Sequence, residues 1–259
     1  MLLRTVPARE GLLWIRLGFV WLARQPGGVL LTLGSYLLMI GLLSMVPVIG
    51  GLIPLVAIQV ATVGFMSAGR HAAVGLPVRP GLLLYGLRGG QTRVRALFAL
   101  ALIYTALVVG VLWLSSLVDG GALLRLLLFG ALPAKGGLPE SIVSAALLAT
   151  VAYLPVSMAF WFAPVLVSWR GMGPAQAMFT SLVIVWRNLG AFLVYATQWM
   201  VLFAVAPALL ATLGTLLGLG ETAASVLALP VALALFMAFV MSFYASAASL
   251  LPIQSAKTA

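Results

Sequence analysis

The stretch QPGGVLLTLGSYLLMIGLLSMVPVIGGLIPLVAIQVATVGFMSAG, Gln25 to Gly69, runs 45 residues without one charged side chain. At ~1.5 Å of helix rise per residue it reaches roughly 68 Å, about twice the length of one bilayer crossing. Pro47, Gly50, Gly51 and Pro54 sit in its middle, where a reversal of direction falls. The stretch reads as a transmembrane hairpin.

Working outward, the pattern recurs. Uncharged runs follow at Ala96–Val118, Ser141–Trp169, Asn188–Gly220 and Thr222–Ala256, each holding one span of about 20 residues. Together they predict six transmembrane helices at about 28–46, 51–69, 95–117, 143–168, 189–213 and 224–250. Sixty-four per cent of the chain is hydrophobic and 7% charged, against about 25% charged in soluble domains. Long apolar runs without strict alternation select helices over a barrel. The expected fold is all-α: a polytopic helical bundle with interfacial amphipathic helices, in a single integral membrane domain covering 1–259. The N-terminus interleaves basic and apolar residues and does not read as a signal peptide.

Loop charges set the expected orientation. With both termini inside, twelve of the fourteen basic residues are cytoplasmic: Arg4, Arg9, Arg16, Arg24, Arg70, Arg79, Arg88, Arg93, Arg95, Arg170, Arg187 and Lys257. Arg125 and Lys135 fall outside, and the bias obeys the positive-inside rule. Trp113, Trp169 and Trp186 lie near predicted helix ends, as an aromatic belt requires.

Each hairpin is preceded by an apolar segment dotted with arginine: Ala8–Gln25, Leu76–Arg95 and Pro174–Arg187. The first and third exit alike, through Arg24-Gln25-Pro26-Gly27 and Arg187-Asn188-Leu189-Gly190. Two explanations stand: a three-fold internal repeat with units 6–69, 76–169 and 174–250, or convergence on what any membrane loop needs. On a helical wheel Arg9, Arg16 and Arg24 fall at roughly 0°, −20° and 60°, one basic stripe shared with Leu13 and Val20. This fits a helix in the headgroup plane with snorkelling arginines, Trp14 and Trp21 belonging to the same interface.

The candidate sites follow from these patterns. Arg9, Arg16, Arg24, Arg70, Arg79, Arg88, Arg93 and Arg95 either recognise anionic lipid headgroups or only set topology. Gln59 and Gln198, in the second and fifth spans, are expected to face the bundle interior, as a pore-lining amide or an interhelical hydrogen bond. Pro54, Pro155 with Pro164, Pro207 and Pro230 interrupt four helices, as transporter sites or as tolerated kinks. Gly214-x-x-x-Gly218 and Ser242, Ser246 and Ser249 mark close helix contacts. The outer piece Ala122–Leu132 is too short to span and reads as interfacial or re-entrant.

Catalysis finds little material. There are four acids, Glu10, Asp119, Glu140 and Glu221, one histidine, His71, and no cysteine. They show no metal-ligand or paired-carboxylate spacing, and His71 reads as a solvated loop residue beside Arg70. A non-enzyme without metal or cofactor is expected. The basic residues lie in membrane-edge loops without a nucleic-acid motif, so lipids, a membrane-protein partner or another copy are the expected partners.

The segments VPAREGLLWIRLGFVWLARQPGG (6–28), PVIGGLIP (47–54) and GFMSAGRHAAVGLPVRP (64–80) resemble a family of proteobacterial inner-membrane proteins of unknown function. The resemblance implies a bacterial inner membrane and a six-helix domain, and supplies no substrate or catalytic residue. Two functions stay open: a non-catalytic component binding anionic lipid or a membrane partner, and a channel or transporter for a small neutral or amphipathic solute.

Overall fold

A computed structural model of the chain describes residues 4–46, 50–130, 140–218 and 220–251. Over these it is helical: α1 (Glu10–Arg24), α2 (Pro26–Ser44), α3 (Ile53–Ala73), a 3-10 helix (Pro80–Arg88), α4 (Gln91–Asp119), α5 (Ala122–Phe129), α6 (Ser141–Phe160), α7 (Ala163–Arg170), α8 (Pro174–Arg187), α9 (Leu189–Leu216) and α10 (Gly220–Leu250). No strand occurs among the described residues. Six apolar helices are long enough to cross a membrane: α2, α3, α4, α6 continued by α7, α9 and the part of α10 from Ala228. They coincide with the six expected spans to within a few residues. Pro47, Lys135, Lys257 and the end of the predicted outer piece at Leu132 lie outside the described residues.

The clearest boundary difference is at α3, which runs on to Ala73 instead of ending near Gly69. Arg70 and His71 thus occupy its last turn, where cations complement the helix dipole. The end comes at Gly75, whose φ of +76° suits glycine. There the Leu76 N–H donates to the His71 carbonyl at 2.9 Å, closing the turn. His71 is half-buried rather than a free loop residue, its Nδ1 lying 3.1 Å from the Pro77 carbonyl. The second arginine-dotted segment is shorter than expected. It folds only as far as Arg88, and Arg93 and Arg95 already belong to the first turns of α4.

Pro54, expected to interrupt a helix, instead begins one: it stands at the second position of α3, where no N–H is needed within the helix. Pro164 holds the same position in α7, directly after the break that divides the fourth span. Pro155, Pro207 and Pro230 lie inside α6, α9 and α10.

The chain forms two compact units. One comprises residues up to Leu33, Phe65–Leu82 and those from Arg187 onward; the other comprises Gly34–Gly64 and Leu83–Trp186. In the first, α1 packs against α9 and α10 through a face of Gly11, Trp14, Ile15, Gly18, Trp21 and Leu22, the i, i+3, i+4, i+7 spacing of one helical stripe. Glycine permits the approach: a Cβ on Gly11 would lie 2.8 Å from the Tyr195 amide nitrogen, and one on Gly18 2.7 Å from Ser242 Cβ. Trp14 (0% exposed) and Trp21 are consequently core residues, Trp14 meeting Phe192 at a tilt and Tyr195 edge-on, and Trp21 meeting Tyr244 at a tilt. Assigning them to an interfacial belt is corrected by this contact. Ser242 and Ser246 are buried, with Gly18 of α1 set against Ser242. Gly218 is no packing residue, for its φ of +70° places it just past the end of α9.

In the second unit α4 packs along α6 and α7. α5 lies across them, putting Leu123 and Leu128 against Leu112, Ala145 and Ala149. Asp119 fixes its start, accepting from the amides of Gly121 at 2.8 Å and Leu123 at 2.6 Å. The outer piece is therefore a helix held on the ends of α4 and α6. Between α6 and α7 the chain breaks, and the buried Ser181 of α8 repairs the break. Its hydroxyl accepts from the Phe162 amide at 2.9 Å and donates to the Met158 carbonyl at 2.8 Å.

Candidate functional site: the basic rim and the buried amides

Because α1 commits one face to α9 and α10, its opposite face is fixed as well. Arg9, Arg16 and Arg24 are all exposed there, together with Leu12, Leu13, Phe19 and Val20. The stripe read on the wheel is thus a mixed surface of guanidinium groups and large apolar side chains. Such a mixture suits the boundary between headgroups and hydrocarbon, where arginine stems lie in the apolar layer and the charge reaches water.

The end of α1 is tied to the end of α3. Arg24 donates to the Ala73 carbonyl at 3.0 Å, satisfying an acceptor at the α3 terminus. Gln25 grips the chain just beyond: its Nε2 donates to the Leu76 carbonyl at 2.6 Å and its Oε1 accepts from the Val78 amide at 2.7 Å. Asn188, between α8 and α9, makes the same two-sided grip on the segment leading into α1. Its Oδ1 accepts from the Val6 amide at 2.8 Å and its Nδ2 donates to the Arg4 carbonyl at 3.2 Å. Sequence reasoning noticed that Arg24-Gln25 and Arg187-Asn188 occur at like places but gave the amides no role. The available signal was an amide side chain directly before each span, free to bond backbone where the helix leaves groups unpaired.

In the second unit Arg88, Arg93 and Arg95 are exposed at the start of α4. Arg93 turns toward the last turn of α7, with Nη1 3.4 Å from the Ser168 carbonyl. The eight candidate arginines therefore divide: Arg9, Arg16, Arg24, Arg70 and Arg79 in the first unit, Arg88, Arg93 and Arg95 in the second.

The two span glutamines also fall in different units. Gln59 is buried at 4% exposure, its Oε1 lacking a hydrogen-bond partner among the described residues. Gln198 on α9 is half-exposed. More polar contact within the spans comes from tyrosines that the sequence reading passed over. The Tyr104 and Tyr153 hydroxyls meet at 2.8 Å between α4 and α6. Tyr195 donates to Ser242 at 2.7 Å, since the Ser242 proton already goes to the Phe239 carbonyl. Tyrosine looks apolar in a composition scan, and only its partner shows which end matters. Among the described residues no group of His, Asp and Glu converges as a metal site.

Six apolar helices joined by arginine-rich segments, with short helices packed on them, define a multi-pass helical membrane protein. A protein of Burkholderia thailandensis described as a probable inner membrane protein is 39% identical over 253 residues, covering 95% of this chain and 92% of its own length. The chain belongs to the family of that inner membrane protein. No family model matches the chain. No solved structure matches it.

Proposed function

We propose that this chain is a non-catalytic inner-membrane component that binds anionic phospholipid along its basic rim, with both termini in the cytoplasm. One observation carries the reading. α1 is anchored by its glycine face, so Arg9 and Arg16 are held at a fixed position on an exposed, partly apolar surface. A rigid basic strip loses little side-chain and backbone freedom when a headgroup arrives. The orientation rests on the same arginines through the positive-inside rule. A membrane-protein partner or a second copy would meet the same rim.

The test is retention of phosphatidylglycerol by the full-length protein in nanodiscs of equimolar phosphatidylethanolamine and phosphatidylglycerol, read by native mass spectrometry. At about 1 kcal/mol per arginine near the surface, Arg9→Gln with Arg16→Gln weakens retention roughly 30-fold. Unchanged retention and unchanged topology in that double variant would remove the proposal's support.

A second reading, a path for a small neutral solute, is favoured by the unpartnered Gln59 Oε1 and the Tyr104–Tyr153 pair within the spans of one unit. It predicts solute flux into vesicles that Gln59→Leu abolishes, and flux indifferent to that change would count against it.

A further inference from the structure

The second unit contains an apolar groove that the basic-rim reading does not use. It is a cavity of ≈ 440 Å³ with walls from α2 (Met39), Leu52 and the first turns of α3 (Ile53 to Ala61), the 3-10 helix (Leu84, Leu87) and the start of α4 (Phe98). Every lining side chain is apolar. Leu84, Leu87 and Phe98 are exposed along its rim, so the groove opens outward. From Leu52 along α3 to Ala61 it runs for roughly 13 Å, close to the depth of one leaflet's hydrocarbon.

The charge around the groove is one-sided. Leu84 and Leu87 share a face of the 3-10 helix, where residues three apart eclipse, and Arg88 follows directly. On α4, Arg95 lies one turn before Phe98 on the same face. Both arginines are exposed. The acids of this unit, Asp119 and Glu140, stand at the far end of α4 and just before α6, a full span away. The groove thus has an apolar trough for a chain and a cationic mouth for an anion, and no polar lining for a water-soluble solute.

We infer that this groove is a defined phospholipid site: one acyl chain lies along α3 beneath the 3-10 helix, and the anionic headgroup meets Arg88 and Arg95. The inference rests on the reading of the rim as an anionic-lipid surface and adds a single place and a stoichiometry to it. A neutral apolar occupant would make no use of the cationic mouth, and a soluble anion would leave the trough unfilled.

Native mass spectrometry in the same nanodiscs, at rising collision energy, isolates the most firmly held phosphatidylglycerol. Wild type keeps one after the others have left. Ala57→Trp, which fills the trough, removes it, and Leu84→Trp on the exposed wall does the same should the first variant fold poorly. Arg88→Gln with Arg95→Gln weakens it roughly 30-fold, while Arg9→Gln with Arg16→Gln leaves it in place. If the groove and mouth variants keep this lipid and the α1 variant loses lipid, the groove is not the site and the rim reading survives. If no variant alters retention, both fall.

Discussion

α1 and the 3-10 helix are the same kind of segment in sequence, apolar, arginine-bearing and followed by a span, yet they dock differently. α1 is 15 residues of α-helix with Gly11 and Gly18 two turns apart on one face, and backbone meets backbone along its length. The 3-10 helix is 9 residues long and offers one glycine, Gly86, on its packed side. A Cβ there would meet Leu97 Cδ2 at 3.0 Å and Val63 Cβ at 3.3 Å, side-chain atoms rather than backbone. The first contact is closed and buries tryptophans; the second leaves a trough. Spacing of small residues, more than hydrophobicity, decides whether an interfacial helix seals against a bundle or leaves room for lipid. In a membrane there is little hydrophobic drive between helices, so close approach is what holds them.

The sharpest way to break this contrast is to add the same side chain to both. Gly18→Leu drives carbon into Ser242 and the Ala238 carbonyl, which belong to the α10 backbone or adjoin it. The cost expected is about 3 kcal/mol or more, seen as a large drop in the detergent melting temperature and in protease resistance of α1. Gly86→Leu meets the end of a leucine side chain that can move, so about 1 kcal/mol is expected. Equal losses would mean that the two contacts do not differ in kind.

The amide grips come next in size. Asn188→Ala removes one acceptor and one donor from the backbone of residues 4–6. With those groups near the surface and able to find water, about 1–2 kcal/mol is expected, with faster hydrogen exchange at the Val6 amide as its signature. Gln25→Ala exerts the matching effect at Val78, beyond α3. Protection at Val6 or Val78 that survived these changes would show that the grips are bystanders to packing.

The six spans were legible because burial in lipid leaves no alternative to long uncharged helices. The mode of packing was less so, and α1 shows why. A wheel centred on the arginines places Leu13 and Val20 within the basic arc, an imperfection in amphipathic terms. Both are in fact exposed at about 40% beside those arginines, for in a membrane an exposed leucine faces an apolar solvent. The informative face was the opposite one, Gly11-Trp14-Ile15-Gly18-Trp21-Leu22, where small and large residues alternate as interlocking requires. Trp14 and Trp21, seven apart on one face, suit the headgroup interface by sequence, whereas the flanking glycines assign them to the core. Likewise Pro54 reads as a break in the sequence but is the second residue of α3. The Tyr104–Tyr153 pair, 49 residues apart in sequence, becomes visible only when α4 and α6 are packed.

The smallest expected effect concerns the hydroxyl pairs inside the two units. Tyr195→Phe removes a donor, but Ser242 retains its own bond to the Phe239 carbonyl at 2.7 Å. The Ser242 donor stays paired, and the acceptor that remains is a hydroxyl oxygen already engaged through its proton. Hydrogen bonds within membrane bundles average about 0.6 kcal/mol, so a shift of that size in unfolding free energy is expected. Tyr104→Phe or Tyr153→Phe should cost about as much if their bond only joins α4 to α6. Should either cost little while abolishing solute flux, the polar contact in the second unit would be serving passage rather than packing. A neutral result in both stability and flux would leave the glycine contacts and amide grips as what holds the first unit together.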